Sequence, residues 1–232
     1  MVRNAGSTKI FIDGVGAAWP ICIGYIPIGL ALGVIAQKAG LSPSEIGVMS
    51  LLVFAGSSQF IAVSMLSAGA DIAAIILTTF MVNLRHLLMS SSLAVFLSKT
   101  RRLTLAAFAY GITDESFAIN YSRFAYGTWD IQRGLVLNHV TQMTWIASTF
   151  VGACSGQFIP AHAFGIDYAL IAMFVCLLVY QLKSRIFWCT AALSGSIGTL
   201  LALWIPGNVH IVVASVLAAG LGVVLKRRRG VG

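Results

Sequence analysis

Charge is what this sequence has least of. Only 9% of its 232 residues are charged and 58% are hydrophobic, whereas a soluble domain carries about 25% charged residues. That scarcity excludes a soluble fold, and the apolar segments leave no stretch in which a separate soluble domain would fit. Paired cysteines are missing too. Cys22, Cys154, Cys176 and Cys189 lie singly in apolar runs, with no CxxC and no Cys/His pairing, so they read as small buried hydrophobes rather than a disulfide frame or metal site. No span carries paired His, Cys or carboxylates at i, i+4 spacing, and no P-loop is present. Metal transport, a bound cofactor and ATP hydrolysis are all set aside on these grounds. The net charge of +8 comes from residues scattered over short loops and tails. No folded basic face remains, which excludes a nucleic-acid partner.

What is there is a series of apolar runs: 14–37, 42–66, 72–97, 103–124, 135–159, 168–180, 186–205 and 209–225. They imply an all-α, polytopic membrane protein of seven to eight transmembrane helices, a single domain over 1–232 embedded in a lipid bilayer. The first run is too long for the apolar part of a cleaved signal peptide and reads as a retained span. It contains Pro20 and Pro27, which either kink a helix for packing or break it for function. The second opens on a capping box, Ser42-Pro43-Ser44-Glu45. Its middle is polar and small, Gly56-Ser57-Ser58-Gln59. Two readings stay open there: packing glue between helices, or an unwound segment lining a site.

Two polar centres stand out. Arg85 lies mid-run with Asn83 and His86, and an Arg at that depth costs about 2.5–3.5 kcal/mol on insertion scales. It must therefore face protein or a wet cavity and must have a partner. At 100° per residue Asn83 and His86 share a face while Arg85 projects elsewhere, so this run either presents polar groups in two directions or breaks. Asp114 and Glu115 in the next run supply the partners, roughly 16 Å from either end of it by helical rise. One Arg and two acids sum to minus one, and the cheapest dry state leaves one carboxyl protonated. Proton coupling needs such a group; a static ion pair fixing helix register is the alternative. A zwitterion at this depth would find a cation for its carboxylate in Arg85, or backbone donors near Gly56 to Ser58, and an acid for its ammonium in Asp114 or Glu115. His86 is a candidate proton relay, His139 a weaker one; His162 and His210 fall in loops.

With eight spans and both termini inside, inner loops and tails hold ten of the fifteen basic residues (Arg3, Lys9, Arg123, Arg133, Lys183, Arg185 and the four from Lys226 to Arg229) and outer loops hold four; the fifteenth is Arg85. The excess favours cytoplasmic termini. The outer cluster of Lys99, Arg101 and Arg102 dissents, which points to one broken or re-entrant segment. Shifting the sequence by 98 residues lays Ser57–Ile61 on Ser155–Ile159 and Asn83–Arg85 on Gln181–Lys183. Either this is coincidence in a biased composition, or it marks inverted repeats, 12–98 and 103–196, with a midplane site between them.

An enzyme of the intramembrane hydrolase type is the rival class, on Ser155-Gly156 and Ser194-Gly195. Neither serine has a glycine two residues before it, and such strings are common at helix contacts.

Four strings in order, FAGSSQFIAV, TTFMVNLRHLLMS, GITDESFAI and DYALIAMFVCLLV, resemble the AzlC-type family, large subunits of bacterial branched-chain amino acid exporters. The resemblance covers about residues 12–185. It implies an inner-membrane exporter of valine, leucine or isoleucine, working with a small AzlD-type membrane subunit. With no P-loop, the energy would come from a gradient. A scaffold subunit that only supports the small partner is the remaining alternative. The site expected from charge and depth is Arg85, Asp114 and Glu115, with Asn83, His86, Gly56, Ser57, Ser58 and Gln59 lining the path.

Overall fold

The computed structural model describes residues 6–98, 100–158, 168, 175, 179, 182, 185–203, 217 and 220. Among the described residues the regular structure is entirely helical: α1 (Ser7–Lys38), α2 (Pro43–Leu52), α3 (Gly56–Ser67), α4 (Ile72–Ala94), α5 (Arg102–Tyr110), α6 (Asp114–Ala125), α7 (Ile131–Ser155) with a 3₁₀ turn at Gly156–Phe158, and α8 (Arg185–Ala202). Two compact units are formed, one within 1–69 and 82–169, the other within 70–81 and 170–232. The boundary falls inside α4, after Met81. Two of these helices, α1 and α4, are long and apolar enough to cross a bilayer; the apolar stretch Trp188–Leu201 of α8 is shorter.

The first unit is built on the pairing of α1 with α7. Small residues make the approach so close that backbone meets backbone. A Cβ on Gly33 would lie 2.1 Å from the Thr149 carbonyl oxygen and 2.5 Å from the Ala153 nitrogen, and one on Gly152 would lie 2.3 Å from the Leu30 oxygen. Around this seam Leu32, Val34, Ala36, Leu137 and Ala153 are fully or almost fully buried. Pro20 and Pro27 both sit inside a continuous α1, so the first run does not break.

The face that α7 buries is polar for a core: Asn138, Thr141, Gln142, Ser148 and Thr149 alternate with Leu137 and Trp145. Thr141 and Ser148 bond carbonyls of their own helix, Leu137 and Asn138 for the first and Trp145 for the second. Their burial therefore leaves no hydroxyl stranded.

The second and fourth runs are each two helices rather than one. α2 starts where the capping box places it: Ser42 Oγ accepts from Glu45 N–H and the Glu45 carboxylate accepts from Ser42 N–H. It stops at Leu52; Val53 and Ala55 are non-helical (φ −125°, ψ 88° and φ −147°, ψ 83°), and α3 begins at Gly56. In the fourth run α5 ends at Tyr110, and Thr113 (φ −122°, ψ 175°) starts α6 afresh. Asp114 and Glu115 are thus the first turn of a new helix, and their depth cannot be counted along a single axis. The third run does the opposite. It stays one continuous helix through Asn83, Arg85 and His86.

Three loop and surface expectations are corrected. Arg133 is not a loop cation: it lies in the first turn of α7 with its side chain 8% exposed, its Nε donating to Asp13 Oδ2 at 2.8 Å and its Nη1 to Asp130. Arg123 closes the last turn of α6, over the Trp129 ring. Of the cysteines, Cys22 is buried but Cys154 and Cys189 are exposed; Cys176 lies outside the described residues. In the proposed repeat, Ser155 to Phe158 end α7, and Gln181 and Lys183 also lie outside the described residues.

Candidate functional site

The site forms where the two helix breaks meet α4 and α1. Each break is held open by specific bonds. On the α5 side, Asn138 Nδ2 donates to the Phe108 carbonyl at 2.9 Å, a second donor beside the Gly111 N–H at 3.2 Å at the helix end. Gly111 permits this: a Cβ there would lie 2.6 Å from Asn138 Cβ. Asn138 is held by Asn120 Nδ2, which donates to its Oδ1 at 3.0 Å, and Trp129 Nε1 donates to Asn120 Oδ1 at 2.9 Å. Thr113 and Ser116 cap α6 reciprocally, each side chain accepting from the other's backbone N–H. On the α2 side, the Tyr110 hydroxyl donates to the Leu51 carbonyl and so joins the two breaks. The Ser58 hydroxyl donates to the Ala55 carbonyl at 2.9 Å.

Arg85 bridges the two new helix starts. Its Nη1 lies 2.7 Å from Asp114 Oδ2, and its Nη2 donates to Ser57 Oγ at 2.5 Å. The Arg85 and Asp114 side chains are 30% and 26% exposed, so the pair is neither dry nor freely solvated. Asp114 occupies the first helical position of α6, where free N–H groups and the helix dipole favour a carboxylate. Glu115, one residue on, does not share Arg85. Its Oε2 accepts from the Tyr25 hydroxyl at 2.7 Å.

The remaining expected residues divide into two groups. Asn83 and His86 lie beside Arg85 on α4, and the buried Asn83 Oδ1, His86 Nε2 and Arg85 Nε have no hydrogen-bond partner among the described residues. Such atoms are costly when buried and unpaired; they are an acceptor, a cationic donor and an imidazole nitrogen. Gly56, Ser58 and Gln59 face inward instead. Gly56 makes room for Trp145, whose Cη2 would lie 2.9 Å from an added Cβ. Gln59 accepts from Trp145 Nε1 at 2.7 Å and donates to Ser50 Oγ at 3.2 Å, and Thr149 donates to the same Ser50 oxygen at 2.9 Å. Both ends of the Gln59 amide are satisfied by this network. Only Ser57 of the four meets Arg85. His139 is exposed, its Nδ1 2.8 Å from the Leu135 oxygen, and His162 and His210 lie outside the described residues.

Tyr25 and Thr113 escaped the reading from sequence. Tyr25 is 7% exposed, its ring edge-on to Phe54 and Trp145, with its hydroxyl 2.8 Å from Thr113 Oγ1. The signal was present: a tyrosine between two prolines in an apolar run has a hydroxyl that must find a partner. Thr113 was legible as half of a second capping box, Thr113-Asp114-Glu115-Ser116, with Ser where Glu or Gln is usual.

Comparison with known proteins places the chain among membrane proteins. The AzlC protein family matches residues 20–159, more than half of the chain. The chain is 30% identical over 212 residues to the inner membrane protein YgaZ of Escherichia coli, covering 88% of this chain and 86% of that one. It is 28% identical over 215 residues to the branched-chain amino acid transport protein AzlC of Bacillus subtilis (90% and 82%). It is 31% identical over 192 residues to an uncharacterized membrane protein of Archaeoglobus fulgidus (79% and 81%). No solved structure matches. The matched stretch contains both helix breaks, the Arg85–Asp114 pair and Tyr25, and the chain belongs to the AzlC family of membrane proteins.

Proposed function

We propose that this chain is the large subunit of a gradient-driven exporter of hydrophobic amino acids, of the valine, leucine and isoleucine class, acting with a small AzlD-type membrane subunit. The observation that carries the reading is the Arg85–Asp114–Ser57 cluster, a cation and an acid set between the starts of two half-helices. Discontinuous helices whose N-termini converge on a polar centre are how many secondary transporters hold a charged small molecule inside the bilayer. Arg85, freed in part from Asp114, takes the amino-acid carboxylate together with Ser57. Asp114 or Glu115 takes the ammonium, and the unpaired atoms of Asn83 and His86 complete the polar shell. Exposed apolar side chains such as Leu84 and Leu87 on α4 meet lipid, the partner subunit or the substrate's side chain. The relative from Bacillus subtilis, named as a branched-chain amino acid transport protein, supports the substrate class. Seven to eight spans in the bacterial inner membrane with both termini in the cytoplasm, and proton coupling through the acid pair, belong to the same proposal.

The hydrolase reading has less behind it: the Ser155 hydroxyl donates to the Val151 carbonyl of its own helix at 2.8 Å.

The test is efflux of labelled valine from cells lacking other exporters, expressing this chain with and without its small partner, with glycine and lysine as controls and an uncoupler as a further arm. Partner-dependent, uncoupler-sensitive efflux of valine alone is expected. Equal retention of all three solutes by a verified complex would reject the substrate class. Valine efflux intact in Arg85→Gln and Asp114→Asn variants that assemble normally would reject the site.

A further inference from the structure

The structure separates two neighbouring acids that the sequence leaves equivalent. We infer that Glu115 is the carboxyl that takes up and releases the coupled proton, and that Tyr25 is its positioning residue, accepting or donating a hydrogen bond as Glu115 changes charge, while Asp114 stays ionised as the counter-ion of Arg85. The inference rests on the transport reading above and deepens it.

The Tyr25 hydroxyl lies 2.7 Å from Glu115 Oε2 and 2.8 Å from Thr113 Oγ1. A phenol has one hydrogen, and an ionised carboxylate only accepts. With Glu115 charged, the Tyr25 hydrogen goes to Glu115, and the second contact is made by the hydrogen of Thr113. With Glu115 protonated, the acid's own hydrogen goes to the phenol oxygen and the Tyr25 hydrogen swings to Thr113 Oγ1. The added proton comes from water and ends on Glu115; no O–H bond of Tyr25 or Thr113 breaks. The Glu115–Tyr25–Thr113 chain keeps both of its contacts in either state, so the buried phenol is never left unpaired. The Thr113 cap on Ser116 N–H uses a lone pair and persists throughout.

Asp114 has no such partner. Its Oδ2 is held at 2.7 Å by a permanent cation, and protonating it would leave Arg85 with the Ser57 hydroxyl alone. The titratable groups near Glu115 are Tyr25 on α1 and His86 on α4, with its chain neighbour Asp114 on α6 holding Arg85 of α4. Among them Tyr25 is the one bonded to its carboxylate.

The experiment is pH-difference infrared spectroscopy of the complex purified with its small subunit, which reads carboxyl protonation without requiring transport. Above the background of the chain's other carboxyls, one protonated-carboxyl band is expected to vanish in Glu115→Gln and to persist in the Arg85→Gln/Asp114→Asn double variant, which removes both charges together and avoids a stranded Arg85. In Tyr25→Phe the band should remain with a displaced midpoint, because the lost hydroxyl contacts the charged and the neutral carboxyl differently. Labelled-valine efflux across the same pH range should show the same displacement. A band that survives Glu115→Gln, a band lost in the double variant, or an unmoved midpoint in Tyr25→Phe would each overturn the assignment. A titrating Glu115 in a complex that moves no valine would instead overturn the transport reading.

Discussion

Removing either end of the Arg85–Asp114 pair should cost stability unequally, and the inequality follows from where each residue sits. At 2.7 Å the gross attraction is about 6 kcal/mol at an effective dielectric near 20, most of it offset by taking two ions out of water. Losing one partner of a fully buried pair costs about 3–5 kcal/mol; with a quarter to a third of each side chain exposed, the expectation falls to about 2–4 kcal/mol. Asp114→Asn should reach that figure, since Arg85 keeps only the Ser57 hydroxyl as a partner. Arg85→Gln should cost less, about 1–2 kcal/mol, because Asp114 remains at the N-terminus of α6, where the helix dipole and free N–H groups favour a carboxylate. The double variant should recover about 1–2 kcal/mol relative to the sum. Equilibrium unfolding of the purified protein in mixed micelles gives all four corners of the cycle. Additivity within about 0.5 kcal/mol, or a larger loss in Arg85→Gln than in Asp114→Asn, would refute the reasoning. Valine efflux measured on the same variants separates the transporter from the scaffold alternative: a scaffold predicts loss of assembly rather than loss of transport in assembled complexes.

Two further outcomes follow from packing. Gly33→Ala should destabilise by about 3 kcal/mol, since its Cβ would lie 2.1 Å from the Thr149 carbonyl and backbone does not yield as a side chain does. Gly16→Ala on the same helix meets nothing within 4 Å and should be neutral or stabilise by up to about 1 kcal/mol; thermal unfolding of both reads the contrast. Gln59→Leu should cost about 2–4 kcal/mol by stranding the buried Trp145 Nε1–H. Adding Trp145→Phe, which removes that donor, should restore part of the loss in the same melt.

Part of this site was legible residue by residue. A buried Arg needs an acid, and the sequence offers two at comparable depth; the structure pairs Arg85 with Asp114. The capping box at Ser42–Glu45 specifies its own helix start, because cap geometry is local. The break in the fourth run was written in Thr113–Ser116 by the same local chemistry, but an unbroken apolar run masked it. The path-lining expectation for Gly56, Ser58 and Gln59 had no local basis. Whether a small polar stretch faces a site or a neighbouring helix depends on what α7 presents to it, and Trp145 and Ser50 decide that.

By itself the sequence determines that the chain is helical and membrane-embedded, since scarce charge and long apolar runs leave a backbone no other way to satisfy its hydrogen bonds in lipid. It also determines that Arg85 is paired with an acid, because an unpaired cation at that depth is too costly. Tertiary structure alone decides that the second run breaks and the third does not, and it holds the fourth open where its own cap starts a new helix, since the chain ends at each break are stabilised by Asn138 and Tyr110, residues distant in sequence. It alone divides the acids, giving Asp114 to Arg85 and Glu115 to Tyr25. Adjacent residues on a helix point about 100° apart, and only the neighbours brought in by folding determine what each direction meets.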